Sequence, residues 1–191
     1  MRLVMASGNA HKAAEIREIL SAHMIEQRPS WVGEVDENAE TLAGNARLKA
    51  RAICEATGTA AVADDTGLEV DALGGLPGVR SARFAGDSAT DEENLRKLLK
   101  SLEAVPSDER GARFRTVAIV AFPDGKELVT EGVANGMIVE VPRGNGGFGY
   151  DSLFVPDEGT GLSFAEMSET EKNLISHRGK AFRSLAQLLQ S

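Results

Sequence analysis

At 191 residues, with 42% hydrophobic and 26% charged side chains, the chain can bury a substantial core and has the composition of an ordinary globular protein. Its formal charge of −8, from 29 acidic and 21 basic residues, argues against the clustered basic face that nonspecific nucleic-acid binding requires, yet allows a local basic pocket. No apolar run is long enough to span a bilayer, the N-terminus turns polar after one short apolar run, and the one cysteine, Cys54, can form no internal disulfide. The reading is one domain over residues 1–191, cytoplasmic, with no nucleic-acid or membrane partner.

In chain order, Leu3–Ala6 reads as a strand. Ser7, Gly8, Asn9, Ala10, His11 and Lys12 form a turn into a helix from Ala13 to about Ala22, striped by Ile16, Ile19 and Leu20. Small residues after a strand, then a helix N-terminus with a cation, suit a phosphate; the same Ser and Asn also serve as ordinary caps. A short strand falls at Met24–Gln27, and an acidic loop at Glu34–Glu40. Thr41 caps a helix carrying Leu42, Ala46, Leu48, Ala50 and Ile53.

Ala60 to Ala63 then reads as a buried strand that ends at Asp64 and Asp65, with Thr66-Gly67 as the turn that stops it. Two adjacent carboxylates at a buried strand end repel each other. They persist where a cation neutralises them or where one acts as a base; magnesium, a hard ion held by one or two carboxylates together with substrate phosphates, is the natural candidate. An Asx turn is the alternative for the pair taken alone.

Asp71–Gly78 is a glycine-rich loop, and Thr90 caps a helix over Asp91–Leu102. Phe114–Phe122 and Glu127–Asn135 form a hairpin across Pro123-Asp124-Gly125, with a third strand at Met137–Val141. Gly144–Gly149 is a loop leading to Tyr150, and Leu153–Val155 resumes a strand. Helices over Ser168–Ser176 and Lys180 to about Gln190 complete the chain. This order gives an α/β fold with a mixed sheet.

Seven motifs occur in sequence: Ser7-Gly8-Asn9-x-x-Lys12, Asn45-Ala46-x-x-Lys49-Ala50, Ala63-Asp64-Asp65-Thr66-Gly67-Leu68, Gly74-Gly75-Leu76-Pro77-Gly78, Ser81-Ala82-Arg83-Phe84, Gly147-Phe148-Gly149-Tyr150-Asp151, and the run from Glu171 through Ser176-His177-Arg178-Gly179. Together they resemble the inosine triphosphate pyrophosphatase family, from Leu3 to Leu189. The resemblance implies magnesium-dependent cleavage of the noncanonical purine nucleotides ITP, dITP and XTP to monophosphate and pyrophosphate. It implies a homodimer, and an elongated mixed sheet with flanking helices forming two lobes around a central cleft.

By the same resemblance Asp65 is the proton acceptor and lies at the metal with Asp64 and Glu37. Where many members carry a glutamate before the Asn-Ala pair, this chain has Ala43-Gly44, with Glu40 as the alternative to Glu37. Substrate-binding positions are Ser7 to Lys12, Lys49, Thr66, Phe148, Gly149, Tyr150, Asp151, Lys172, His177 and Arg178. Hypoxanthine presents an acceptor at O6 and a donor at N1, so Arg178 is the expected donor to O6 and Asp151 the acceptor from N1–H. Phe148 is the stacking face and Tyr150 a wall. Two rivals stand beside this reading: a pyrophosphatase for other modified nucleotides, and a nucleotide-binding regulator without catalysis.

Overall fold

Caps set the starts of the helices. Asn9, Thr41, Thr90 and Ser168 each accept backbone N–H bonds, and Thr90 and Ser168 do so in capping boxes with Glu93 and Glu171. The computed structural model describes residues 1–190; Ser191, the last residue of the expected domain, lies outside the described residues. The elements are β1 (Arg2–Met5), α1 (Ala10–Ile19), β2 (Met24–Glu26), α2 (Leu42–Thr57), β3 (Ala61–Val70), β4 (Pro77–Gly78), α3 (Asp91–Ser101), β5 (Gly111–Ala121), β6 (Glu127–Ile138), β7 (Phe154–Pro156), α4 (Glu169–Ile175) and α5 (His177–Leu188). The strands form one mixed sheet in the order β2-β1-β3-β5-β6-β7, with β4 on β3. β1 runs parallel to both β2 and β3, whereas β4 is antiparallel to β3 and β7 to β6. The fold class is thus the expected mixed α/β.

The chain divides into two compact, discontinuous units. The first comprises residues 1–65, 116–132 and Arg178 onward; the second comprises residues 66–115 and 133–177. In the first, Leu3, Met5, Ile16, Leu20, Val62, Val120, Phe182 and Leu185 form the core. In the second, Leu68, Val70, Leu98, Leu102, Phe114, Phe154 and Phe164 do so, with Phe114 edge-on to Phe154 at 4.8 Å.

Several local expectations change. The strand at Ala61 does not stop at Thr66-Gly67 but runs on to Val70, because nearly every residue of β3 is buried and its carboxylates have cationic partners. α1 begins three residues early, at Ala10, since Asn9 supplies the cap, and it ends at Ile19. Met137 belongs to β6 rather than to a separate strand. α5 starts at His177, not Lys180. Leu48 is 39% exposed: it lies two positions from Ala46 and Ala50, on the opposite side of α2 from their buried stripe.

Candidate active site

In the first unit, α1 follows β1 through the Ser7–Lys12 turn. Asn9 Oδ1 accepts from the amides of His11 at 2.9 Å and Lys12 at 3.2 Å, and Ser7 Oγ accepts from Asn9 N–H at 3.2 Å. The side chains therefore cap the helix themselves. Lys12 sends its Nζ to Asp64 Oδ2, 3.3 Å away.

Asp64 and Asp65 follow one another on β3, so their side chains leave opposite faces of the strand, and each has its own partners. Asp64 Oδ2 receives Lys12 and, at 3.4 Å, Arg178 Nε; Arg178 Nη1 donates to Glu15 Oε2 at 2.5 Å. The Arg178 and Asp64 side chains are 2% and 0% exposed. Burial alone would raise the Asp64 carboxyl, but Lys12, Arg178 and Lys49 outweigh it and hold Asp64 well below the usual carboxylate range.

Asp65 has a different environment. Burial pushes its carboxyl upward, and Lys49 and Lys12 offset that only in part, with Glu37 adding to the rise. Its Oδ1 lies 3.6 Å from Lys49 Nζ, and its Oδ2 accepts from Asn45 Nδ2 at 3.2 Å. Lys49 Nζ also donates to Glu37 Oε2 at 2.9 Å. Burial opposes charge on Lys49, but Asp65, Asp64 and Glu37 more than compensate and raise its ammonium. An ammonium drawn to both Glu37 and Asp65 shows that a cation suits the space near these two acids. Among the described residues no cluster of three acidic, histidine or cysteine side chains is placed to hold a metal. Two hard carboxylates without a third suit magnesium completed by phosphate and water, not an all-protein cage.

In the second unit, Gly147–Asp151 and α4 build a second polar group. Asp151 Oδ2 accepts from Lys172 Nζ at 2.8 Å and from Phe148 N–H at 2.9 Å. Lys172 lies 5.0 Å from the centroid of the Phe148 ring. Gly147 has φ +68°, and a Cβ there would run into the Asp151 carboxylate. Gly149 N–H donates to Asp91 Oδ2 at 2.7 Å.

Other expected site residues sit in structural settings. Tyr150 is buried and donates its hydroxyl to Ser81 O at 2.8 Å, so it anchors the core of its unit; burial, with Asp91 nearby, pushes its phenol upward. The buried His177 ring stacks on Phe114 at 4.5 Å. His177 and Arg178 open α5. Arg178 was expected to donate to a base; here Nε and Nη1 are committed to Asp64 and Glu15, because those buried carboxylates demand a cation. Thr66 follows Asp65 on β3 and is half-buried.

Two residues of the site have no role in the sequence reading. Glu15 lies three positions after Lys12, hence on the same face of α1, and the spacing was a usable signal. Asn45 heads the Asn45-Ala46-x-x-Lys49 motif, and an i, i+4 pair on α2 brings both its members to Asp65.

The first unit thus sets the ammonium groups of Lys12 and Lys49 beside two buried carboxylates, one held low and one raised. The fold and this chemistry define an α/β protein equipped for a phosphorylated ligand and proton transfer. The chain belongs to the Ham1 family, whose model matches residues 3–188. A protein of Nitratidesulfovibrio vulgaris named dITP/XTP pyrophosphatase is 46% identical, over 97% of this chain and 94% of its own length. One of the same name from Streptomyces coelicolor is 45% identical, over 99% and 97%. The solved structure of a HAM1 protein from Coxiella burnetii superposes with a TM-score of 0.90 at 38% identity, over 100% of this chain and 98% of that one. The Staphylococcus aureus Ham1 protein gives 0.88 at 34%, with the same coverage.

Proposed function

We propose that this chain hydrolyses the noncanonical purine nucleoside triphosphates ITP, dITP and XTP to the monophosphate and pyrophosphate, with magnesium, and so cleanses the nucleotide pool. The observation that carries the reading is Asp65: a buried carboxylate 3.6 Å from Lys49 Nζ and 3.2 Å from Asn45 Nδ2, one strand residue from Asp64, which pairs with Lys12 and Arg178. Full-length relatives named dITP/XTP pyrophosphatase support the substrate class.

Glu37 and Asp65 would hold the metal, which when bound neutralises phosphate charge and lowers the proton affinity of a coordinated water. The chain's own groups do the rest. Lys12, Lys49 and the Ser7–Lys12 turn bind phosphate oxygens, and Asp65 accepts the proton of the attacking water. Asp64 keeps its charge and stays with Lys12 and Arg178, holding those cations in place.

For the base, Arg178 is the donor to O6, through guanidinium hydrogens beyond those given to Asp64 and Glu15. Asp151 accepts from N1–H beside Lys172, with Phe148 as the stacking face. Adenine reverses both edges and leaves buried polar groups facing like partners, a mismatch that costs about 10⁴-fold in specificity. A homodimer working in the cytoplasm belongs to the same reading, supported by the family resemblance and, for the compartment, by the free thiol of Cys54.

The test is a nucleotide panel, with magnesium or with chelator, resolved into products by chromatography. ITP and XTP should give monophosphate and pyrophosphate only with the metal; orthophosphate and diphosphate would mean the wrong bond. Asp65→Asn should cut turnover to a small residual rate while retaining nucleotide binding by titration, and near-normal turnover by that variant would remove Asp65 from the mechanism.

A further inference from the structure

The Asn45 side chain is 1% exposed and uses both ends of its amide. Its Oδ1 accepts from Ala39 N–H at 2.9 Å, and its Nδ2 donates to Asp65 Oδ2 at 3.2 Å. One planar group therefore links the carboxylate to the backbone of the 36–41 loop, two residues from Glu37. The two bonds fix each other: an amide turned over would aim its NH2 at the Ala39 N–H and its oxygen at the carboxylate, donor against donor and acceptor against acceptor. With Oδ2 held this way, the contact to Lys49 falls on Oδ1.

Gly44 supports the same link. A Cβ at position 44 would lie 2.5 Å from Ala39 Cβ and 3.1 Å from Thr41 Oγ1. The bare helix start lets Ala39 pack close enough for its N–H to reach Asn45. Ala43-Gly44 thus acquires a physical reason: a side chain at 44 would push the loop away.

We propose that Asn45 is a positioning residue for hydrolysis, orienting the Asp65 carboxylate and tying it to the loop that carries Glu37. This rests on Asp65 being the base. Asn45 acts through Asp65, so its loss should fall on turnover rather than on substrate binding. Gly44 acts one step further back, through the placement of Ala39.

The experiment compares wild type, Asn45→Ala, Asp65→Asn and the double variant on ITP with magnesium, with single-turnover measurements for the slow forms. Alanine suits a helix, and a native-like circular dichroism spectrum with a cooperative melt confirms a folded protein; Asn45→Ser serves if the alanine variant does not fold. Asn45→Ala should lower kcat at least tenfold with KM changed less than threefold. In the Asp65→Asn background the same substitution should change the residual rate less than twofold, which an independent structural effect would not produce. Amide exchange at Ala39 should accelerate in Asn45→Ala and, more weakly, in Gly44→Ala. Turnover within twofold of wild type, an equal loss in both backgrounds, or unchanged exchange at Ala39 would each overturn the positioning role. A wild-type protein inert on ITP would instead sink the proposed function, so the two failures are distinct.

Discussion

Replacing Arg178 with methionine tests the ion network beneath Asp64. The guanidinium is 2% exposed and bridges Glu15 at 2.5 Å and Asp64 at 3.4 Å. Methionine restores much of the volume, so the cost is chiefly electrostatic. Removing one partner from a buried ion pair costs about 3–5 kcal/mol. Asp64 keeps Lys12 at 3.3 Å, which places the expectation near the lower end, about 3 kcal/mol. For a chain of this size that lowers Tm by roughly 6–12 °C. Urea unfolding at pH 7, followed by circular dichroism, measures it. A companion, Glu15→Gln with Arg178→Met, should recover part of the loss, because removing both partners relieves the stranded charge. A loss under about 1 kcal/mol, with the double variant no better than the single, would refute the network's role in holding Asp64 ionised.

Two further outcomes follow from the same reasoning. Gly147→Ala combines a positive-φ penalty of about 1–2 kcal/mol with displacement of the Asp151 carboxylate. It should destabilise more than Gly125→Ala, where φ is +86° and nothing lies within 4 Å, and it should raise KM for ITP; equal destabilisation with an unchanged KM would refute the displacement. Glu127 accepts from Arg47 and Arg51, and despite desolvation these hold its carboxyl below the unfolded value of 4.5. A lowered value means that its stabilisation is present above about pH 4.5 and is lost as pH falls through the folded-state value. Because the two arginines are 37% and 57% exposed, Glu127→Gln should cost only about 0.5–1 kcal/mol at pH 7. That gap should narrow as pH falls below 4.5, and urea titrations showing it constant with pH would contradict the pairing.

Local chemistry was legible without coordinates. Capping residues marked helix starts at Thr41 and Thr90, because a hydroxyl three residues before a free amide acts within one turn. The stripe of α1 was readable from the period of a helix, and the motif order carried the family. The turn at Thr66-Gly67 was misread because glycine signals a break only where burial and pairing do not hold the strand. Pairing of charges was out of reach, since it joins residues far apart: Asp64 to Arg178, Asp151 to Lys172, Asp65 to Lys49. The sequence by itself determined that Asp64 and Asp65 stand together at a buried strand. Only the tertiary structure decided that one is neutralised by Lys12 and Arg178 while the other is raised by burial, because alternate faces of a strand meet different neighbours.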